Sequence, residues 1–253
     1  MTHPARKRWG QNFLTDPNTC RKIVQLLNLK PDDHVIEIGA GLGALTVELA
    51  NQNIALTAIE IDPLCCSHLK KLRVPGLKIV NQDFLIYDLD SINSTFKIIG
   101  NLPYYITSPI LFKVLENRNW EKAVFMVQKE VVERITAKPG SRIYGRLTVM
   151  AALYCSVKKE LTVPAHLFKP KPQVDSAVIS ITQKPMPKII FDNFSPFKKM
   201  IAAAFSSRRK ILRNTLTEFL TKETLEMYGK LRPEQLAVED FKNIFTVWIN
   251  SGD

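Results

Sequence analysis

The sequence predicts an α/β protein, a mostly parallel sheet with helices on both faces, followed by a small C-terminal helical domain. Three observations predict it. Strand and helix patterns alternate from His34 to about Val127, as parallel strands require for their crossovers. A glycine-rich turn, Gly39-Ala40-Gly41-Leu42-Gly43-Ala44, ends the first strand pattern and opens a helical one. From Ser195 to Asn250 the apolar spacing is helical. Domains are expected at 1–184 and 185–253, with Pro185, Pro187 and Asp192-Asn193 marking a linker.

Taken in order, Asp16-Pro17 is an N-cap and first-turn pair for a helix carrying Ile23, Val24, Leu26 and Leu27. Val35 to Ile38 reads as a short strand and Ala44 to Ala50 as a helix. Ala55 to Glu60 is the next strand, and Pro63 to Leu72 a helix with proline at its start. Leu77 to Val80, Phe96 to Gly100 and Ala123 to Val127 continue the strands, with a helix from Ile106 onward between the last two. Lys138-Pro139-Gly140-Ser141 is a loop, and Val174 to Thr182 is hairpin-like. Ile201 to Phe205, Leu212 to Leu220, Thr224 to Tyr228 and Pro233 to Trp248 read as helices.

With 253 residues, 45% of them hydrophobic and 23% charged, this is the composition of a folded chain and not a disordered one. A net charge of +11 and a pI near 9.5 attract polyanions, nucleic acid first among them. The four cysteines (Cys20, Cys65, Cys66, Cys155) show no C-x-x-C spacing, and the adjacent Cys65-Cys66 suits neither an ordinary disulfide nor a zinc knuckle. A reducing, cytoplasmic setting is expected. Residues 1–9 are basic and polar with no apolar signal core, and no apolar run approaches the roughly 20 residues that span a bilayer. Neither a membrane nor a metal is expected, since the four histidines show no paired spacing.

The glycine-rich turn satisfies G-x-G-x-x-A: glycines at Gly39 and Gly41 let the backbone approach a ligand, and the following helix offers free N–H groups. Glu60, ending the second strand about twenty residues later, stands where an acid holds ribose hydroxyls. Asp83 follows the third strand, where a carboxylate can accept from an adenine amine or simply cap a turn. Nicotinamide dinucleotides and S-adenosylmethionine both fit these three signals. Asn101-Leu102-Pro103-Tyr104, after the fourth strand, separates them. An amide oxygen and an outward carbonyl beside a flat aromatic ring suit the exocyclic amine of adenine, which hydride transfer does not require. By itself the tetrapeptide also reads as a strand-to-helix turn with a core tyrosine. The order and spacing of all four signals favour methylation of a nucleobase amine.

Segments along nearly the whole chain carry a family resemblance. They are Gly10-Gln11-Asn12-Phe13-Leu14, Glu37 to Thr46, Asn101 to Tyr105, Tyr144-Gly145-Arg146-Leu147, Phe168 to Val178, Phe205 to Lys210 and Arg232 to Leu236. In these the chain resembles the ribosomal RNA adenine dimethyltransferases, and within them the bacterial small-subunit type. The resemblance implies a Rossmann-like class I methyltransferase sheet with S-adenosylmethionine as methyl donor. It implies cofactor contacts at Asn12, Leu14, Gly39, Glu60, Asp83 and Asn101, with Gly41 in the same turn. The implied substrate is a pair of neighbouring adenosines in a hairpin near the 3′ end of small-subunit rRNA. Around Asp83 the stretch Asn81-Gln82-Asp83-Phe84 departs slightly from the family pattern.

Basic residues mark where RNA is expected. Residues 1–15 include Arg6, Lys7 and Arg8 and no acid, and Lys129 to Lys171 holds nine basic residues against three acids, Arg142 and Arg146 among the former. Ser195 to Thr217 holds six basic residues and no acid: Lys198, Lys199, Arg208, Arg209, Lys210 and Arg213. A basic run without acids has no internal ion pairs, so phosphate is its natural partner. The expected partners are the small ribosomal subunit and its rRNA, engaged by a monomer. The nearest rival is a large-subunit enzyme of the macrolide-resistance kind, against which Phe205 to Lys210 and Arg232 to Leu236 speak. A non-catalytic assembly or transcription factor and a dehydrogenase are the others.

Overall fold

The computed structural model describes residues 11–117, 119–207 and 209–252. Its strands are β1 (Phe13–Leu14), β2 (His34–Ile38), β3 (Ala55–Glu60), β4 (Leu77–Asn81), β5 (Phe96–Asn101), β6 (Trp120–Gln128), β7 (Cys155–Val163), β8 (Phe168–Lys169) and β9 (Ser176–Gln183). The helices of the first half are α1 (Pro17–Gln25), α2 (Ala44–Ala50), α3 (Pro63–Lys71), α4 (Thr107–Glu116), α5 (Lys129–Ile135) and α6 (Arg146–Tyr154). Those of the second half are α7 (Lys188–Asp192), α8 (Phe194–Ala204), α9 (Leu212–Thr215), α10 (Lys222–Tyr228) and α11 (Val238–Asn250).

Seven strands form one sheet in the order β4-β3-β2-β5-β6-β9-β7. The pairs β3–β4, β2–β3, β2–β5 and β5–β6 are parallel, and β9 runs antiparallel to β6. The central strands are buried on both faces, with Ala123 to Val127 in β6 fully enclosed, so they read as continuous apolar runs. Two helix starts are capped: Asp16, the N-cap read from the sequence, accepts from Thr19 N, and Asp62, just before the proline that opens α3, accepts from Leu64 N. Parallel pairing puts the carboxyl ends of β2, β3, β5 and β6 along one edge. Because β9 is antiparallel, its first residue, Ser176, pairs with Gln128 and reaches that same edge.

The chain divides into two compact units. The first runs to Val132 and adds Val157–Gln183; the second combines Glu133–Ser156 with the chain from Lys184 on. A division at 184 leaves Glu133–Ser156 in the first unit, whereas the structure groups that segment with the second. The first unit's core joins Ile23, Leu27, Leu49, Ile99, Val124 and Met126. The second is built on aromatic packing, with Phe197 and Phe245 edge to face at 5.1 Å and Tyr154 and Phe194 at 5.4 Å.

Several elements depart from the sequence reading. Helices α5 and α6 and strand β7 lie where none was expected; β7 (Cys-Ser-Val-Lys-Lys-Glu-Leu-Thr-Val) is a mostly solvated edge strand without a sustained apolar run. The linker after Pro187 contains the short helix α7. Helix α9 stops at Thr215 instead of reaching Leu220, because Leu216 leaves the helical conformation while its side chain is buried. The expected helix over Pro233 to Trp248 is a single 3-10 turn, Pro233–Gln235, followed by α11. The loop at Lys138 to Ser141 is tied within its own unit, Gly140 N–H donating to the Glu234 carbonyl at 2.6 Å. Among the described residues no helix is long and apolar enough to cross a membrane.

Candidate active site

A cavity of about 510 Å³ lies in the first unit at the carboxyl edge of the sheet, where α/β proteins hold their ligands. It is lined by the turn after β2, the ends of β3 and β4, the segment after β5, and the chain from Gln11 to Thr15. Asn12, Leu14, Gly39, Gly41, Glu60, Asp83, Asn101, Leu102, Pro103 and Tyr104 all line it. Residues spread over more than ninety positions therefore share one wall.

The turn after β2 is left-handed at Gly39 (φ 67°) and Gly41 (φ 55°). A Cβ on Gly41 would stand 3.0 Å from the Phe13 ring, so glycine also admits the N-terminal segment across the turn. Glu60 is 4% exposed, and its two oxygens accept from Gly41 N and Asp62 N, each at 2.8 Å. The carboxylate thus braces the glycine turn, which the sequence reading did not foresee. Burial pushes its pKa up, against the pull of the Asp62 and Gly41 N–H groups. Glu37, 1% exposed at the end of β2, also lines the cavity and accepts from Thr46 Oγ1 at 2.7 Å. Burial pushes this carboxyl up to about 8. Its signal in the sequence was an acid inside the apolar strand Val-Ile-Glu-Ile.

Asp83 caps the 3-10 turn Phe84–Ile86 by accepting from Leu85 N at 2.8 Å through Oδ1. Asp83 is therefore a turn acid, and it also lines the cavity. Tyr105, 56% exposed, adds an aromatic face to the same wall.

Asn101 closes β5 in register with Met126. Its Nδ2 donates to the Asn12 carbonyl at 2.8 Å, which fixes the amide orientation and leaves Oδ1 as the acceptor. The Pro103 carbonyl is already engaged by Ile106 N at 3.2 Å and Thr107 Oγ1 at 2.9 Å, starting the following helix. Of the two backbone acceptors the sequence left open, Leu102 O is the one that α4 does not use. Tyr104 Oη lies 2.8 Å from Ser176 Oγ, and burial raises the phenol's pKa. Two quoted motifs also meet, because Phe13-Leu14 pairs with Phe168-Lys169 as β1 and β8. Gln11 Nε2 donates to Asp62 at 3.2 Å, so residues 11–15 strap the cavity at several points. None of these tertiary contacts has a local sequence signal.

Arg142, Arg146, Lys198, Lys199, Arg209, Lys210 and Arg213 all belong to the second unit. Arg142, Lys199, Arg209, Lys210 and Arg213 are exposed, while Arg146 and Lys198 are half-buried. Arg208, Gly10 and Arg6 to Arg8 lie outside the described residues. Among the described residues no group of three or more His, Cys, Asp and Glu side chains is placed to hold a metal ion. His34 packs edge to face on Phe96 and shares a hydrogen bond with Thr57.

The family model described as "Ribosomal RNA adenine dimethylase" matches residues 2–249. Ribosomal RNA small subunit methyltransferase A of Chlorobium phaeobacteroides (strain BS1) is 41% identical over 246 residues, spanning 95% of this chain and 92% of its own. The protein of that description from Francisella tularensis subsp. novicida (strain U112) is 42% identical over 254 residues, 95% of this chain and 96% of its own. The dimethyladenosine transferase of Plasmodium falciparum superposes with a TM-score of 0.78 at 28% identity, covering 94% of this chain and 98% of that one. The 23S rRNA methyltransferase ErmE superposes with a TM-score of 0.72 at 29% identity over 92% of this chain and 98% of its own.

Proposed function

Because the chain belongs to the ribosomal RNA adenine dimethylase family, we propose that it dimethylates two adjacent adenosines in a hairpin near the 3′ end of small-subunit rRNA. It is a small-subunit rRNA adenine dimethyltransferase, and the methyl groups go to the exocyclic N6 amines. One observation carries the chemical part: Asn101 presents an amide oxygen to the cavity because its Nδ2 is committed to Asn12.

The cavity's donors and acceptors suit S-adenosylmethionine. Gly39 and Gly41 let the backbone approach a ligand, Asp83 offers a carboxylate to an adenine amine, and Glu60 stands at the end of β3 where an acid holds ribose hydroxyls. Asn12 and Leu14 close the cavity from the strap. S-adenosylmethionine supplies the methyl group as an electrophile on a sulfonium and leaves as S-adenosylhomocysteine.

The chain's own residues must make a poor nucleophile attack. The lone pair of the adenine amine is delocalised into the ring. Hydrogen bonds from its two N–H groups to Asn101 Oδ1 and Leu102 O favour a pyramidal nitrogen whose lone pair points at the donor. Pro103 holds the carbonyl geometry through its fixed φ, here −59°. Tyr104 stacks on the base after it leaves its helix, and holding the reactants in line supplies much of the rate. The methylated nitrogen is acidic and gives its proton to water, so no dedicated base is required. Phosphate contacts come from Arg142, Arg146, Lys198, Lys199, Arg208, Arg209, Lys210 and Arg213, which position the RNA while the base pocket selects adenine. The protein acts as a cytoplasmic monomer on the small ribosomal subunit and takes part in its biogenesis.

The test is incubation of separately purified small and large subunits, both lacking dimethyladenosine, with labelled S-adenosylmethionine. Dimethyladenosine in small-subunit RNA is expected. Label confined to large-subunit RNA would overturn the assignment in favour of the ErmE-like reading.

A further inference from the structure

We infer that Ser176 is a positioning residue for methyl transfer, tethering the Tyr104 ring as the plate on which the target adenine stacks. This rests on the adenine methylation reading above. The two hydroxyls are 2.8 Å apart, and either can donate. Ser176 is fully buried at the start of a strand that continues as Ala177-Val178-Ile179, all fully buried. A hydroxyl in such surroundings costs stability unless bonded, and its partner is Tyr104.

The tether is anchored on a rigid support. Ser176 pairs with Gln128 across the β6–β9 ladder. The residue before it, Asp175, accepts from Ala165 N through Oδ1 at 2.9 Å, and its carbonyl accepts from Lys129 N at 3.3 Å. Tyr104, in contrast, starts a 3-10 turn, Tyr104–Ile106, with no side-chain cap. Its side chain turns about two torsions, χ1 and χ2. A phenolic O–H prefers the plane of its ring, so a fixed partner at the tip restricts both the swing of the ring and its twist. The antiparallel direction of β9 makes this possible, since it brings a strand start to the edge where the parallel strands end. Stacking alone needs the ring; stacking in a pose that keeps the amine on Asn101 Oδ1 and Leu102 O needs the tether.

The experiment compares Ser176→Ala, Tyr104→Phe and the double variant of the full-length protein. The substrate RNA carries either adenosine or the fluorescent base 2-aminopurine at a target position. Each single variant is expected to lower kcat about fivefold, the scale of one neutral hydrogen bond, with KM for S-adenosylmethionine unchanged. The double variant is expected to be no worse than either single one, the signature of one shared interaction. Quenching of the bound 2-aminopurine should fall equally in all three. Losses that multiply to about 25-fold would overturn the tether, as would a Ser176→Ala protein with wild-type kcat and quenching. A wild-type protein that leaves small-subunit RNA unmethylated would instead overturn the underlying functional reading.

Discussion

Replacing Asn101 by alanine separates the two jobs its amide performs. Nδ2 holds the Asn12 carbonyl at 2.8 Å and so ties down the strap; in the proposed mechanism Oδ1 accepts from the target amine. The strap keeps its other supports, the β1–β8 pairing and the Gln11–Asp62 bond. Losing one backbone contact of this kind is worth about 1 kcal/mol, or about a fivefold weaker Kd for S-adenosylmethionine. The acceptor role is larger, because positive charge develops on the nitrogen as the methyl group is transferred. Removing a preorganised group aimed at developing charge costs on the order of 10²–10³ in rate. Asn101→Ala is therefore expected to lose at least about a hundredfold in single-turnover methylation while binding the donor within about tenfold of wild type. Calorimetric titration with S-adenosylmethionine and rapid-quench assays with radiolabelled donor measure the two quantities separately. A variant that methylates near the wild-type rate, or one whose whole deficit lies in donor affinity, would refute this division of labour.

Gly100→Ala should destabilise the protein by about 1–3 kcal/mol, because the new Cβ would stand 2.7 Å from the Ile38 carbonyl on the neighbouring strand; an unchanged Tm would show that β2 and β5 yield without cost. The Glu37 carboxyl is raised from 4.5 to about 8 by burial, so its contribution to stability is complete below pH 4.5 and is lost as pH rises through about 8. Glu37→Gln, which keeps an acceptor for Thr46 and cannot ionise, should accordingly gain in Tm over wild type between pH 5 and pH 8.5, and parallel Tm profiles would contradict this. Combining Arg209→Ala, Lys210→Ala and Arg213→Ala should weaken RNA binding and lower the slope of log Kd against log salt by about 2–3 units, with donor affinity unchanged. A slope equal to wild type would remove these side chains from the RNA interface.

Much of the first unit was legible because its signals are local. Buried parallel strands appear as short apolar runs, and Asp-Pro pairs mark two helix starts. The second unit was less legible. Its helices are short, and α9 ends where burying Leu216 outweighs continuing the helical pattern. Strand β7 escaped notice because an edge strand carries polar residues on its open side. Segment 133–156 clusters with the second unit, a grouping that depends on long-range packing, which periodicity does not encode.

At the site, chemical types and their order along the chain were fixed by sequence alone. A glycine turn, two acids and an amide-proline-aromatic segment after successive strands specify an adenosine-handling edge, since parallel strands must end together. The tertiary structure decided how each group is used. Glu60 braces Gly41 and Asp62, the Pro103 carbonyl is consumed by α4, Asn101 is oriented by Asn12, and Tyr104 is held by Ser176. Hydrogen bonds between residues 72 or 89 positions apart have no local signature. They exist because a strap from the N-terminal end and an antiparallel strand are both packed onto the edge where the parallel strands stop.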